Sequence, residues 1–200
     1  MADPAHSQQT EWEERYRSGQ TGWDRGDASP ALFSWLEQGT LRPCRILVPG
    51  CGRGYEVAVL AERGFQVTAV DIAASAITFS RGLLAQHGLR ATTCLADLLE
   101  WEPDNRFDAI YEQTSLCALP PEKWQDYSDR LWRWLKPGGS LCALFMQTNK
   151  TGGPPFHCAI EAMETLFPPT RWGWPTDLPM RVGHPSGLHE LGYPLTRKPD

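Results

Sequence analysis

Val48-Pro49-Gly50-Cys51-Gly52-Arg53-Gly54 decides how this chain folds. Arg45 to Val48 reads as a short apolar strand, and Gly54 to Arg63 as a helix that stops at Gly64, a residue suited to the left-handed position after a helix. A strand that runs through alternating glycines straight into a helix opens a βα unit. Glycine permits the tight turn and lets a ligand come within contact distance of the backbone. The first N–H groups of the following helix have no partners inside it and face that ligand.

Working outward from this turn, the pattern repeats. Phe65 to Val70 is a second strand that closes on Asp71, and Ala74 to His87 is a helix stopped by Gly88. Ala91 to Leu95 and Phe107 to Tyr111 read as the third and fourth strands. Pro120-Pro121 opens a helix through Leu135, ended by Lys136-Pro137-Gly138-Gly139, and Leu141 to Met146 is the fifth strand. Cys158 to Leu166 has a helical pattern, and His189 to Arg197 reads as a last strand with a partner near Arg171 to Trp174. On the N-terminal side, Gln9 to Arg17 is a short helix and Ser18 to Ala28 a polar loop. Ser29-Pro30 then caps and starts a helix that ends near Gly39. Short strands alternating with helices predict an α/β, Rossmann-like fold: an open, mostly parallel seven-stranded sheet with helices on both faces. Such a sheet binds its ligand outside the carboxyl ends of its strands.

The chain has 200 residues, a length suited to one domain. Residues 1–40 are expected to form an aromatic segment over a core spanning 41–200. A formal charge of −5, with no stripe of Lys and Arg, argues against a nucleic-acid partner. No apolar run approaches a membrane span, and Met1 to Thr10 lacks the pattern of a signal peptide. The six cysteines form no C-x-x-C pair, so neither a metal site nor a disulfide framework is expected. These features place the protein in a reducing cytoplasm, as a monomer acting on a small molecule. The nine tryptophans are mostly core candidates, but Trp12 and Trp23 lie ahead of the first strand and need another explanation.

The strand ends carry the chemistry. The glycine turn has the spacing G-x-G-x-G, with Tyr55 where a dinucleotide fingerprint would place its third glycine. That favours S-adenosylmethionine (AdoMet), which has no pyrophosphate, over NAD. Asp71 closes the second strand about twenty residues on, where a carboxylate accepts from both ribose hydroxyls, and it also suits a helix cap. Asp97, after the third strand, is placed to accept from the adenine amino group, with Leu98 beside the ring. Gln113 and Ser115 follow the central fourth strand, next to the transferred methyl. Glu112 is a candidate base whose simpler role is to position backbone groups, and His157 is the histidine expected nearest the pocket. Cys51 reads as a packing residue in the cofactor loop. The loop from Thr148 to Phe156, with Pro154 in it, follows the fifth strand and Gln147 and should line the acceptor side.

Across these stretches the chain resembles the thiopurine S-methyltransferase family, and within it the bacterial thiol and plant halide/thiol methyltransferases. The matching pieces are Trp12-Glu13-Glu14-Arg15-Tyr16, Thr21-Gly22-Trp23-Asp24, Ile46 to Gly52, Val70-Asp71-Ile72, Cys117 to Pro121 and Gly152 to Phe156. Val48 stands where most methyltransferases of this fold carry an acid, a departure the family shares. The resemblance implies a class I AdoMet-dependent methyltransferase. Its cofactor contacts would fall on Trp12, Tyr16, Trp23, Gly50, Asp71, Asp97, Leu98 and Gln113, flanked by Cys51, Gly52 and Ile72. Trp23, Gln113, Ser115, Gln147 and Pro154 would face the acceptor. Tyr16 replaces a tryptophan common in the family. Gln113 stands where thiopurine enzymes have Arg and halide enzymes Tyr, so acceptor identity is open at that position.

AdoMet carries a sulfonium whose methyl leaves by in-line attack. An anionic nucleophile annihilates charge on the way, and a dry site favours that. Aromatic faces hold a cation by about 0.5–2 kcal/mol per well-placed ring, which gives the N-terminal Trp12, Tyr16 and Trp23 a task. A thiol with a pKa near about 8.5 needs no strong base. The expected reaction is therefore methyl transfer to a soft nucleophile: thiol, thiopurine, heavier chalcogen or halide. Two alternatives share the strand-end pattern: a nicotinamide-dependent oxidoreductase and a non-catalytic AdoMet-binding module.

Overall fold

The period-two alternation of the apolar strands divides the interior into two cores. In a computed structural model of the protein, which describes residues 4–184 and 186–199, β1 (Arg45–Pro49) sends Ile46 and Val48 to one side of the sheet and Leu47 to the other. In β4 (Phe107–Gln113), Ala109 and Tyr111 join Ile46, while Ile110 joins Leu47. In β5 (Leu135–Gln147), Cys142 and Leu144 pack on the first side and Leu141, Ala143 and Phe145 on the second. Strands buried on both faces need helices on both faces. The first side is covered by α2 (Pro30–Glu37), α3 (Tyr55–Glu62) and α4 (Ala74–Gln86), through Trp35, Val57, Leu60 and Ile77. The second is covered by α6 (Trp124–Trp134) and α7 (Ile160–Leu166), through Tyr127, Leu131, Trp134 and Met163.

The sheet runs β3-β2-β1-β4-β5-β8-β6, where β2 is Gln66–Asp71, β3 Thr92–Leu95, β6 Trp172–Gly173 and β8 His189–Arg197. β1 to β5 are parallel, and β8 is antiparallel to β5. The sheet has eight strands in seven positions, because β7 (Met180–Gly183) shares the outer edge of β8 with β6. The expected count of seven thus holds for positions rather than strands. Only β6 was foreseen as the partner of β8, since Met180–Gly183 is four residues long, too short for its alternation to stand out.

Three other boundaries differ from the sequence reading. β5 begins at Leu135, and Lys136-Pro137-Gly138-Gly139 forms a register shift opposite Phe107 and Ala109 instead of a loop. Gly139 fits there because a Cβ would press on the carbonyls of Lys136 and Asp108. The segment after Pro120 is a 3-10 turn, Pro121–Lys123, followed by α6, and a short helix α5 (Ser115–Ala118) precedes it. The N-terminal helix α1 spans Pro4–Arg17, starting ahead of Gln9. All strand ends that matter for binding lie on one edge of the sheet. The order reverses at β1, between β2 and β4, which is where an open sheet of this kind forms its crevice.

Candidate active site

The crevice is a cavity of about 380 Å³. Its floor is the glycine turn, where Gly50, Gly52 and Gly54 all have positive φ, at 56°, 53° and 81°. A side chain at Gly50 would collide with Ser115, whose Oγ donates to the Pro49 carbonyl at 2.8 Å across the β1/β4 switch point. Asp71 ties the turn to the next βα unit. Its Oδ2 accepts from Gly52 N and its Oδ1 from Ala73 N, each at 2.9 Å. Ala73 occupies the cap position of α4, so the carboxylate of Asp71 bridges the two turns instead of capping that helix. Asp71 is only 7% exposed. Burial pushes its pKa up to about 6, against the lowering effect of the backbone donors Ala73, Gly52 and Ile72. A buried carboxylate of this kind is stabilised by further hydrogen-bond donors. Asp97 and Leu98 line the same end, and Asp97 also accepts from Leu99 N at 2.8 Å.

Three aromatic rings line the cavity on the side of the N-terminal segment. Trp23 meets Trp12 and Tyr16 edge-on, with ring centroids 5.3 and 5.6 Å apart. The Tyr16 hydroxyl lies over Gly52, 3.4 Å from the place a Cβ would occupy. Burial, then the nearby Asp71 carboxylate, raise the Tyr16 pKa, so it remains a hydroxyl. Two polar latches hold this segment down. Glu13 accepts from Ser75 N at 2.9 Å and Ser75 Oγ at 2.7 Å, placing a carboxylate on the N-terminus of α4, where the helix dipole favours it. Those hydrogen bonds, led by the Ser75 backbone, lower its pKa. Asp24 pairs with Arg53 of the glycine turn at 2.7 Å, and that guanidinium lies 4.6 Å over the Phe79 ring.

The opposite end of the cavity is lined by Gln113, Arg25, His184, Met146, Leu188 and Pro154. Tyr111 Oη donates to Gln113 Oε1 at 2.9 Å, and Gln113 Nε2 donates to Glu190 at 3.2 Å. Arg25 donates to the Gly183 carbonyl at 2.8 Å, joining the N-terminal loop to β7. His184 is buried, with Nδ1 accepting from Ser186 N at 3.2 Å. Burial and the Arg25 charge lower its pKa.

A model of the family described as Thiopurine S-methyltransferase (TPMT) matches residues 7–174. The chain belongs to the thiopurine S-methyltransferase family. Among its relatives, a probable thiol methyltransferase 2 of Arabidopsis thaliana is 32% identical over 186 residues, covering 90% of this chain and 82% of that protein. A thiocyanate methyltransferase 1 of Brassica oleracea is 32% identical over 164 residues, with 79% and 71% covered. A thiopurine S-methyltransferase of Vibrio campbellii is 28% identical over 175 residues, with 78% and 80% covered. Among solved structures, the 1,6-didemethyltoxoflavin-N1-methyltransferase of Burkholderia thailandensis, with bound 1,6-didemethyltoxoflavin and S-adenosylhomocysteine, superposes with a TM-score of 0.77. It is 21% identical, with 100% of this chain and 92% of that one covered, and supports the Rossmann-like fold. This family member is thus an AdoMet-dependent methyltransferase acting on a small-molecule nucleophile, which sets aside the nicotinamide alternative.

Within this thiopurine S-methyltransferase-family chain, the cavity gathers Trp12, Tyr16, Trp23, Gly50, Cys51, Gly52, Asp71, Ile72, Asp97, Leu98 and Gln113. It also takes in Ser115 and Pro154. Three expected residues face elsewhere. His157 does not line the cavity: its Nδ1 accepts from Thr148 N at 3.2 Å and Asn149 N at 3.4 Å, and His184 stands in the pocket instead. Gln147 turns its amide away, donating to the Phe145 and Cys158 carbonyls at 3.1 and 2.7 Å. Glu112 lies under the floor, where its Oε1 accepts from Leu116 N at 2.8 Å. Burial raises its pKa to about 7. Sequence reasoning missed Arg25, His184 and Glu190. The one local signal was Glu190 itself, a charge inside the apolar strand pattern from His189 to Arg197.

Proposed function

We propose that this protein transfers the methyl group of AdoMet to a soft nucleophile of a small molecule, a thiolate, heavier chalcogen or halide, in a site closed by its own N-terminal segment. One observation carries this reading: Trp12, Tyr16 and Trp23 pack edge-on over the glycine turn, opposite the apolar Met146, Leu188 and Pro154. Such walls exclude water and offer aromatic faces to a cation. AdoMet supplies the activated methyl on its sulfonium. Asp71 would accept from the ribose hydroxyls with the lone pairs left free by Gly52 and Ala73, and Asp97 from the adenine amino group beside Leu98. Gly50, Cys51 and Gly52 would lie against the methionyl part. Ser115 keeps the turn open by tying Pro49 to the end of β4.

The acceptor would lie near Gln113 and Pro154. Alignment of the reacting atoms supplies most of the acceleration, up to about 7–11 kcal/mol in favourable cases. A pre-ionised nucleophile needs no base. Neither Glu112 nor His157 reaches the cavity, so neither is assigned a proton. The lid would be the segment from Trp12 to Trp23, whereas α2, also ahead of residue 41, belongs to the core through Ala31, Leu32 and Trp35. The protein would act as a monomer. No helix among the described residues is long and apolar enough to cross a membrane. All six cysteines are free thiols, which fits a reducing cytoplasm.

The test is calorimetry with AdoMet and S-adenosylhomocysteine, followed by a panel of thiols, thiopurines, selenium compounds and iodide with labelled AdoMet. The expected result is micromolar cofactor binding and turnover of at least one anionic acceptor. Cofactor binding without turnover across the panel would overturn the reading in favour of a non-catalytic module.

A further inference from the structure

Glu190 is 0% exposed, yet it stands on β8 directly under the acceptor end of the cavity. Its strand position pairs it with Met146 of β5 on one side and Val182 of β7 on the other. Through the sheet it reaches Gln113, whose Nε2 lies 3.2 Å from Glu190 Oε2 and 3.5 Å from Oε1. The other end of that amide is fixed as well, because Tyr111 Oη donates to Gln113 Oε1 at 2.9 Å. Burial, with the nearby Glu56 and Glu190 carboxylates, raises the Tyr111 pKa far enough that it stays a donor. An amide with its oxygen taken by a hydroxyl and its nitrogen taken by a carboxylate cannot flip without breaking both contacts. One N–H of Gln113 remains, on a side chain that lines the cavity.

We propose that Glu190 is a positioning residue that holds this remaining Gln113 N–H toward the acceptor, and that its charge state sets how strongly an anionic acceptor is bound. The proposal rests on reading the cavity as a methyl-transfer site. It deepens that reading by naming what orients and tunes the binding of an anionic acceptor: a single hydrogen bond from Gln113, backed by Glu190.

The surroundings of Glu190 make its charge adjustable. Arg25 faces it from the N-terminal loop and favours ionisation, as does the Gln113 N–H. Glu112 from β4 and Glu56 from α3 oppose it, and burial opposes it most. The result is a pKa raised to about 7. Below that value Glu190 is neutral, while Arg25 keeps its positive charge in the cavity wall. Above it, a second buried negative charge lies behind Gln113, and an anion in the cavity is repelled at low effective dielectric. Anion binding should therefore be strongest below about pH 7 and weaken as the pH rises through it.

Iodide is the discriminating probe, because it stays an anion throughout and any pH dependence belongs to the protein. Its affinity for the S-adenosylhomocysteine complex would be measured by calorimetry from about pH 6 to about pH 8.5, with kcat/KM at saturating AdoMet measured in parallel. Wild type should lose on the order of ten-fold in iodide affinity across that range. Glu190→Gln keeps an acceptor for the Gln113 N–H without the charge, so it should bind iodide tightly and with a clearly shallower profile than wild type, the remaining slope being that of Glu112. Glu190→Leu removes the partner and should bind weakly at every pH. Glu112 is present in all three proteins and does not account for a difference between them. A profile as steep in Glu190→Gln as in wild type, equal behaviour of the Gln and Leu variants, or no iodide binding at any pH would overturn the proposal. Failure of S-adenosylhomocysteine to bind wild type would instead overturn the methyl-transfer reading on which the proposal rests.

Discussion

At the glycine-turn end of the cavity, the groups that matter follow directly on strand ends: Gly50 on β1, Asp71 at the end of β2 and Asp97 just beyond β3. At the acceptor end, Gln113 meets Glu190 across a separation of 77 residues, and Arg25 meets Gly183 across 158. The first end is made by the βα repeat itself, so any sequence that forms the sheet brings those groups together. The second is made by the register of an antiparallel strand and by a loop folded back from the N-terminus. On the proposed assignment of the two ends, cofactor binding is inherited from the architecture, whereas acceptor choice rests on contacts that one register shift would dismantle.

The largest effect expected to test this contrast is at Asp71. Asp71→Ala removes a buried acceptor for the ribose and the anchor of Gly52, and AdoMet affinity should fall about 100-fold or more by calorimetry. An acceptor-end variant such as Glu190→Gln should leave that affinity within about two-fold; comparable losses at both ends would erase the distinction. The next effect is pH-dependent. Ribose hydroxyls donate to the ionised carboxylate, so affinity is full above the Asp71 pKa of about 6 and falls as the pH drops through it. The limiting slope is about ten-fold per pH unit, and a flat titration would show that the carboxylate is not the ribose acceptor.

A smaller change is expected at Glu13, which touches the core only through Ser75. Glu13→Ala should weaken AdoMet binding by about three- to ten-fold, mainly as faster release in stopped flow, because it loosens the aromatic segment without altering the floor. The smallest belongs to His157. Its acceptor nitrogen is occupied by two backbone N–H groups, so His157→Ala should leave kcat/KM for thiols within about two-fold. A loss near about 100-fold, with cofactor binding intact, would restore it as a base.

The same contrast explains what was legible in the sequence. Glycine spacing, the two strand-end carboxylates and the alternation of β1, β4 and β5 are local patterns, and they led to the mostly parallel sheet and to the residues at its carboxyl ends. The Trp12–Trp23 segment was legible through its family resemblance. Arg25, His184 and Glu190 were not, because nothing within a few residues of each marks the cavity as its destination. Gln147 and His157 were misplaced for the converse reason. Both lie beside the acceptor loop in sequence, but the carbonyls of Phe145 and Cys158 engage Gln147, and the N–H groups of Thr148 and Asn149 engage His157. β7 escaped notice because its pairing is supplied wholly by β8.

The latches of the N-terminal segment also bear on traffic. If Trp12, Tyr16 and Trp23 form the roof, the demethylated cofactor can leave only after Glu13 releases Ser75 and Asp24 releases Arg53. Such partly exposed ionic contacts weaken as salt screens them. Ionic strength would then act on the exit step and leave methyl transfer in the closed site untouched, so that saturated turnover would quicken with added salt up to the point where chemistry becomes limiting.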